Sequence, residues 1–294
     1  MKQISIISAK GGVGKTAITA AFASFAKSLV LVDCDTESND LRLLLNAESS
    51  KQNDVKTNQR VFIQEDECIR CGLCKALCHF DAVRNDSGVY SIEKEHCQAC
   101  DLCLKACPVS AIQHFDSPAN NWGEAETQFG TLVYAQLALG EDLNGNLISI
   151  LRDRARELAA ERHKETILID GPPAVGYAVA STISGADLAV IIVEPGPSAV
   201  HDIHKAIQLS SRYEVAVACL INKSDLNPEM TKEVKDYCSV NSIPMLGEIP
   251  FDTVFMQAQV EGVLLAEMDG SEAAMKILRS VWKEILMHIK NSKE

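Results

Sequence analysis

Eight cysteines crowd into residues 68–107: Cys68, Cys71, Cys74 and Cys78, then Cys97, Cys100, Cys103 and Cys107. Each of the second four stands 29 residues beyond its counterpart, as do Ala111 beyond Ala82 and Ile112 beyond Val83, so the segment is an internal duplication of a C-x2-C-x2-C-x3-C run. Cysteines this close together either bind metal or pair as disulfides. No early stretch has the charged–apolar–small pattern of a signal peptide, so a cytoplasmic chain is expected, and there metal is the stronger reading. Zinc also takes four sulfurs. Three cysteines at this spacing plus a fourth, twice over, suit an iron–sulfur cluster better. Pro108 follows the second run, whereas His79 follows the first. A proline there supplies a fixed φ and no ligand, so His79 is either a turn residue or a donor near a sulfur.

A second constellation opens the chain. "KQISIISAKGGVGKTAITAAFASFAK" passes from a β-rich segment (Ile4, Ile6, Ile7) through glycines into an Ala-rich amphipathic helix. A strand, a Gly-rich turn and a helix N-terminus aim several backbone N–H groups at one point, which suits a phosphate chain. Gly11, Gly12 and Gly14, with Val13 between them, allow close approach; Lys15 is placed to neutralise β- and γ-phosphates and Thr16 to ligate Mg²⁺. Two apolar runs end in acids: "LVLVDCD" in Asp33 and Asp35, and "TILIDGPP" in Asp170, where a carboxylate can hold Mg²⁺ through water.

The elements that must position these groups alternate. "LAVIIVEPG", "VAVACLINKSD" and "IPMLGEIPFD" read as further buried strands, with helical patterns at 199–211 and 229–238. The pattern predicts an α/β fold, a mostly parallel sheet with helices on both faces, interrupted by a small α+β domain. The polar end of "LRLLLNAESSKQNDVKTNQR" reads as a linker into the interruption. Near the C-terminus, apolar residues at 274, 277, 278, 281, 282, 285, 286 and 289 form one stripe, expected to pack on the sheet rather than bind a membrane. The net charge of −12 argues against a nucleic-acid surface.

"KGGVGKT" departs from the general P-loop: Ala9 replaces the first glycine and a second lysine, Lys10, precedes Gly11. In this it resembles the deviant P-loop of the MinD/ParA/Mrp and nitrogenase iron-protein ATPases, over nearly all of residues 1–57 and 118–294, the two parts of a discontinuous ATPase domain. The resemblance implies that Lys10 reaches a partner subunit's nucleotide across a two-fold axis. It implies that Asp33 belongs to switch I beside Mg²⁺, that Asp35 orients or activates the attacking water, and that Gly171–Pro173 belong to switch II. It further implies that Asn222 binds adenine and that Pro250 and Phe251 line the base pocket. Because "SND" departs from the relatives' pattern, Asn39 and Asp40 receive no role.

Residues 58–117 resemble a bacterial two-cluster ferredoxin. That implies one 4Fe–4S cluster on Cys68, Cys71, Cys74 and Cys107, and another on Cys78, Cys97, Cys100 and Cys103. Cys34, Cys219 and Cys238 form no CxxC pair, so cluster chemistry is expected in the insert alone. The whole resembles MinD-superfamily ATPases with an inserted ferredoxin domain. Expected cofactors are ATP/ADP, Mg²⁺ and two 4Fe–4S clusters. The expected activity is slow ATP hydrolysis in a nucleotide-dependent homodimer, or a dimer with a related ATPase, gating electron transfer to a partner metalloprotein. A cluster-assembly or carrier factor, and a redox-sensing positioning or regulatory switch, are the other two readings.

Overall fold

A computed structural model of the chain describes residues 1–35, 40–55, 61–93, 96–115, 119–138, 145–173 and 176–291. Five apolar runs become central parallel strands: β1 (Lys2–Ser8), β2 (Leu29–Asp33), β10 (Thr166–Pro173), β11 (Leu188–Val193) and β12 (Val217–Asn222). They are buried on both faces, which is why they read as continuous runs instead of alternating ones. In β2, Leu29 and Leu31 enter one core while Val30 and Val32 enter the other. With β13 (Met245–Ile249), β9 (Gly130–Gln136), β8 (Asn120–Thr127) and β3 (Glu48–Val55) they form one sheet, in the order β13-β12-β11-β1-β10-β2-β9-β8-β3. The pairs from β13 to β9 are parallel; β9–β8 and β8–β3 are antiparallel.

One face carries α1 (Lys15–Ala23), α2 (Asp40–Leu44), α9 (Val254–Glu261) and α10 (Glu272–Asn291). The other carries α5 (Gly145–Glu161), α6 (Tyr177–Ile183), α7 (Ala199–Arg212) and α8 (Pro228–Val240). The α10 stripe does pack inward: Leu278, Val281 and Ile285 are buried and Trp282 meets Phe22 at 5.4 Å between ring centroids. Truncating Ile285 to alanine removes a fully buried side chain, and a lower urea-unfolding midpoint, equivalent to about 2–5 kcal/mol, is the expected result.

The expected linker is corrected in part. Glu48–Val55 is the edge strand β3, paired with β8. An edge strand needs no apolar face, because the main-chain ladder holds it, so its polar sequence carried no strand periodicity. The expected domain joints at 57/58 and 117/118, and Asn39, lie outside the described residues.

The cysteine segment folds as two copies of one unit. Its elements are β4 (Val61–Ile63), α3 (Leu73–Leu77), β5 (Val83–Asp86), β6 (Val89–Ile92), α4 (Leu102–Ala106) and β7 (Ile112–His114). Strand β4 pairs with β7 and β5 with β6, and the pair Ile63–Ile112 maps onto Ile92–Val83 when the 29-residue offset is applied. Left-handed residues recur at the same offset: Arg70 and Ala99, Gly72 and Asp101, Asp81 and Ser110.

Candidate nucleotide site and cysteine sites

Strand register brings the nucleotide groups together. Ile6 of β1 lies beside Asp170 of β10, which lies beside Asp33 of β2, so the glycine loop and both acids emerge at the C-terminal ends of three adjacent central strands. The loop ends at Gly14, in the left-handed conformation (φ 93°), with no side chain capping α1. The first-turn amides are therefore free for an anion. A cavity of about 550 Å³ opens there, walled by Lys10 to Ala17, Asp35, Asn222 and Phe251 among others. A Cβ on Gly14 would lie 2.5 Å from Asn222 Nδ2 besides requiring a strained φ. Gly14→Ala is thus expected to weaken ATP binding at least tenfold, read by fluorescent-nucleotide titration.

Lys15 is almost fully buried, 3.0 Å from Asp35 and 3.5 Å from Asp170. Burial alone would lower its pKa, but Asp170 and Asp35, with Asp33, outweigh that and hold it raised. Burial pushes Asp33 well above the usual carboxylate range, and Asp170 adds to it. Burial also raises Asp170, against the pull of Lys15. Thr19 Oγ1 donates to Asp170 Oδ1 at 3.0 Å, and the Thr16 hydroxyl bonds the same carboxylate. Asp170 Oδ2 is buried with no hydrogen-bond partner among the described residues. An orphaned carboxylate oxygen beside a hydroxyl and two more acids is an oxygen donor set for a hard cation, so these residues fit Mg²⁺.

Other expected residues divide. Lys10 is 44% exposed at the rim and makes a long ion pair with its own Glu194 at 3.8 Å. Asn222 lines the cavity while donating to Val13 O at 2.8 Å, so in this structure it braces the loop. Phe251 lines the cavity; Pro250 is exposed and is not among its lining residues. Sequence reasoning missed Lys223, whose Nζ bonds Gly12 O at 3.0 Å and Glu194 at 2.6 Å, and Asp40, which lines the cavity and accepts from Gln259 at 2.8 Å. "INKSD" and "VEPG" held the first pair in view, but nothing local announced their contact.

In the insert, Cys68, Cys71, Cys74 and Cys107 line one cavity with Ile63 and Tyr90. Among the described residues no three His, Cys, Asp or Glu side chains are arranged for a single ion. A Zn–S₄ site needs sulfurs only about 3.8 Å apart, given Zn–S bonds of about 2.3 Å. Four thiols around a cavity fit a cube with one iron per sulfur. Around the second site, burial pushes the Cys103 thiol up to about 11, and Cys97 and Cys100 add to it, so these three lie together. Cys78 ends α3 at φ −77°, ψ 110°, as Cys107 ends α4 at φ −70°, ψ 114°, and so holds the equivalent place. His79 is exposed, as a turn residue would be. Cys34 is buried, its thiol pushed up by that burial, and Cys219 and Cys238 lie together in a core.

Residues 61–114 match the 4Fe–4S dicluster domain family. An uncharacterized protein of Methanocaldococcus jannaschii is 34% identical over 228 residues, covering 76% of this chain and 79% of its own length. The septum site-determining protein MinD of Synechocystis is 25% identical over 259 residues, covering 85% and 76% respectively. In fold the chain is similar to MinD complexed with Mg-ADP from Pyrococcus horikoshii, at TM-score 0.58 and 17% identity over 97% of this chain and 95% of that one. It is likewise similar to MinD of Aquifex aeolicus, at TM-score 0.56 and 18% identity over 98% of each chain.

Proposed function

This chain belongs to the MinD/ParA-type P-loop ATPases that carry a 4Fe–4S dicluster domain, and from that premise we propose that it is an ATP-gated electron-transfer protein. ATP hydrolysis closes and reopens a dimer, and the insert passes electrons to a partner metalloprotein. The observation that carries the reading is adjacency. Helix α3, which carries Cys74, packs on α4, which carries Cys103, so groups held at the two sites would neighbour each other as a relay needs.

Each side chain has a task. The amides of Gly11 to Gly14 and the uncapped turn of α1 hold the phosphates, and Lys15 moves from its carboxylates to the β- and γ-oxygens. Thr16, Asp33 and Asp170 hold Mg²⁺, which supplies charge neutralisation at the transferring phosphate. Asp35 orients the attacking water, and Lys10 leaves its long, exposed pairing with Glu194 to reach the nucleotide of the other protomer. Cys68, Cys71, Cys74 and Cys107 hold one cluster; Cys78, Cys97, Cys100 and Cys103 hold the other. Bound there, the clusters supply one-electron redox chemistry. Asn222 and Phe251 border the base, and Asn222 fixes the loop as well.

The exposed Cys71 favours a second reading, a cluster carrier, because a solvent-facing ligand is open to exchange. Anaerobic purification, iron analysis and EPR decide between them. About eight irons per chain, two interacting signals and resistance to chelators support electron transfer. Transfer of a cluster to an apo-acceptor supports the carrier and overturns the relay.

A further inference from the structure

The duplication is broken at one place, and the break points toward the nucleotide. Arg70 in the first run is exposed, whereas its counterpart Ala99 is 5% exposed and its carbonyl accepts from Asn146 Nδ2 of α5 at 2.8 Å. Val109, two residues after Cys107, is exposed, whereas its counterpart Phe80, two residues after Cys78, meets the Tyr177 ring edge-on at 5.4 Å between centroids. The two contacts therefore flank Cys78 and Cys100, both assigned to the second site. Among the described residues the first site has no such seal: Ile69 is 60% exposed, and Cys71 is exposed.

Tyr177 is held from its other side. A Cβ on Gly145 would overlap Ser181 Oγ and the Tyr177 ring, so glycine at the start of α5 lets the ring approach the backbone closely. Arg152 NH1 of α5 donates to Ser181 O of α6 at 2.6 Å, tying the two helices below. Tyr177 is also the first residue of α6, four residues after Pro173, which lines the nucleotide cavity. Pro173 thus stands at the nucleotide cavity, and Tyr177, four residues on in the chain, stands against the insert.

We propose that Tyr177 is the positioning residue through which the nucleotide site acts on the second cysteine site, leaving the first for exchange with the partner. Movement of the chain after Asp170 shifts the ring, the ring shifts Phe80, and the surroundings of the sulfurs at Cys78 and Cys100 change. No bond is made or broken; packing and solvent access tune the cluster. The inference rests on the electron-transfer reading but is tested without a partner.

The test uses the full-length protein carrying its clusters, titrated by EPR under Mg-ADP and under Mg-ATP. One of the two midpoint potentials is expected to move with nucleotide by a tenfold change in the one-electron equilibrium, about 59 mV. Tyr177→Ala abolishes that shift while keeping iron content and ATP hydrolysis; Tyr177→Phe keeps it, because the contact is made by the ring edge. Hydrogen exchange of residues 97–101 in the same cluster-loaded protein is expected to respond to nucleotide in wild type and not in Tyr177→Ala. Should Tyr177→Ala lose its iron, Phe80→Ala removes the other half of the contact and is expected to lose the shift too. A wild-type shift and exchange response in a folded Tyr177→Ala or Phe80→Ala overturns the proposal. A shift that depends on Tyr177 without electron transfer to any acceptor overturns the electron-transfer reading alone.

Discussion

Replacing Lys15 with alanine is expected to reduce ATP hydrolysis by at least about 100-fold while iron content stays at the wild-type level. Removal of a single preorganised group aimed at developing charge costs about 10²–10³ in kcat, and Lys15 is the cation nearest the expected γ-phosphate position. The cysteine sites share no contact with Lys15, whose partners are Asp35 and Asp170. A coupled colorimetric phosphate assay and iron analysis on the same preparation check both halves.

The variant also carries a pH signature. Lys15 compensates Asp33, Asp35 and Asp170, and breaking such a buried pair costs about 3–5 kcal/mol, less where the acids can take up protons. Asp33 and Asp170 have folded pKa values above the ordinary one, so the folded state holds protons that the unfolded chain has released. Their contribution to stability therefore falls as pH rises from the ordinary carboxylate value through the raised ones, and recovers on acidification through the same window. Without Lys15 both acids move higher and that window widens upward. Thermal unfolding from pH 4 to 8 is expected to show Lys15→Ala losing stability with rising pH more steeply than wild type.

The second large effect concerns the crossed ligand set. Cys107→Ser is expected to remove the cluster of the first run and halve the iron to about four per chain. Cys107 lines the cavity formed by Cys68, Cys71 and Cys74, whereas Cys97, Cys100 and Cys103 of its own run do not. Cys103→Ser is expected to remove the other cluster. EPR on the two reduced variants checks this: each retains one signal, the two signals differ, and the interaction between them is gone. Loss of the same signal from both variants would mean that each run closes its own site.

Legibility followed the range of the interaction. The glycine loop, Lys15, Thr16 and the cysteine runs were readable because their chemistry needs fixed short spacing, and the duplication displayed its period directly. The buried parallel strands were readable as apolar runs. Strand β3 was not, since a ladder-held polar edge leaves no pattern. The Lys223 brace on Gly12 joins residues 211 apart, and no local rule ties a lysine after Asn222 to a loop at the other end of the chain. Nothing in the sequence singles out Tyr177; only the packing of Phe80 and Gly145 against its ring gives it a role.

The central claim, that nucleotide gates the passage of electrons out of the insert, is tested most directly by one rate. The dithionite-reduced protein, freed of excess reductant, is mixed with oxidised methyl viologen under Mg-ATP or Mg-ADP, and cluster bleaching is reversed in the stopped flow. The account predicts at least a tenfold difference between the nucleotides in wild type and none in Lys15→Ala. Equal rates in wild type, with about eight irons per chain, would contradict it.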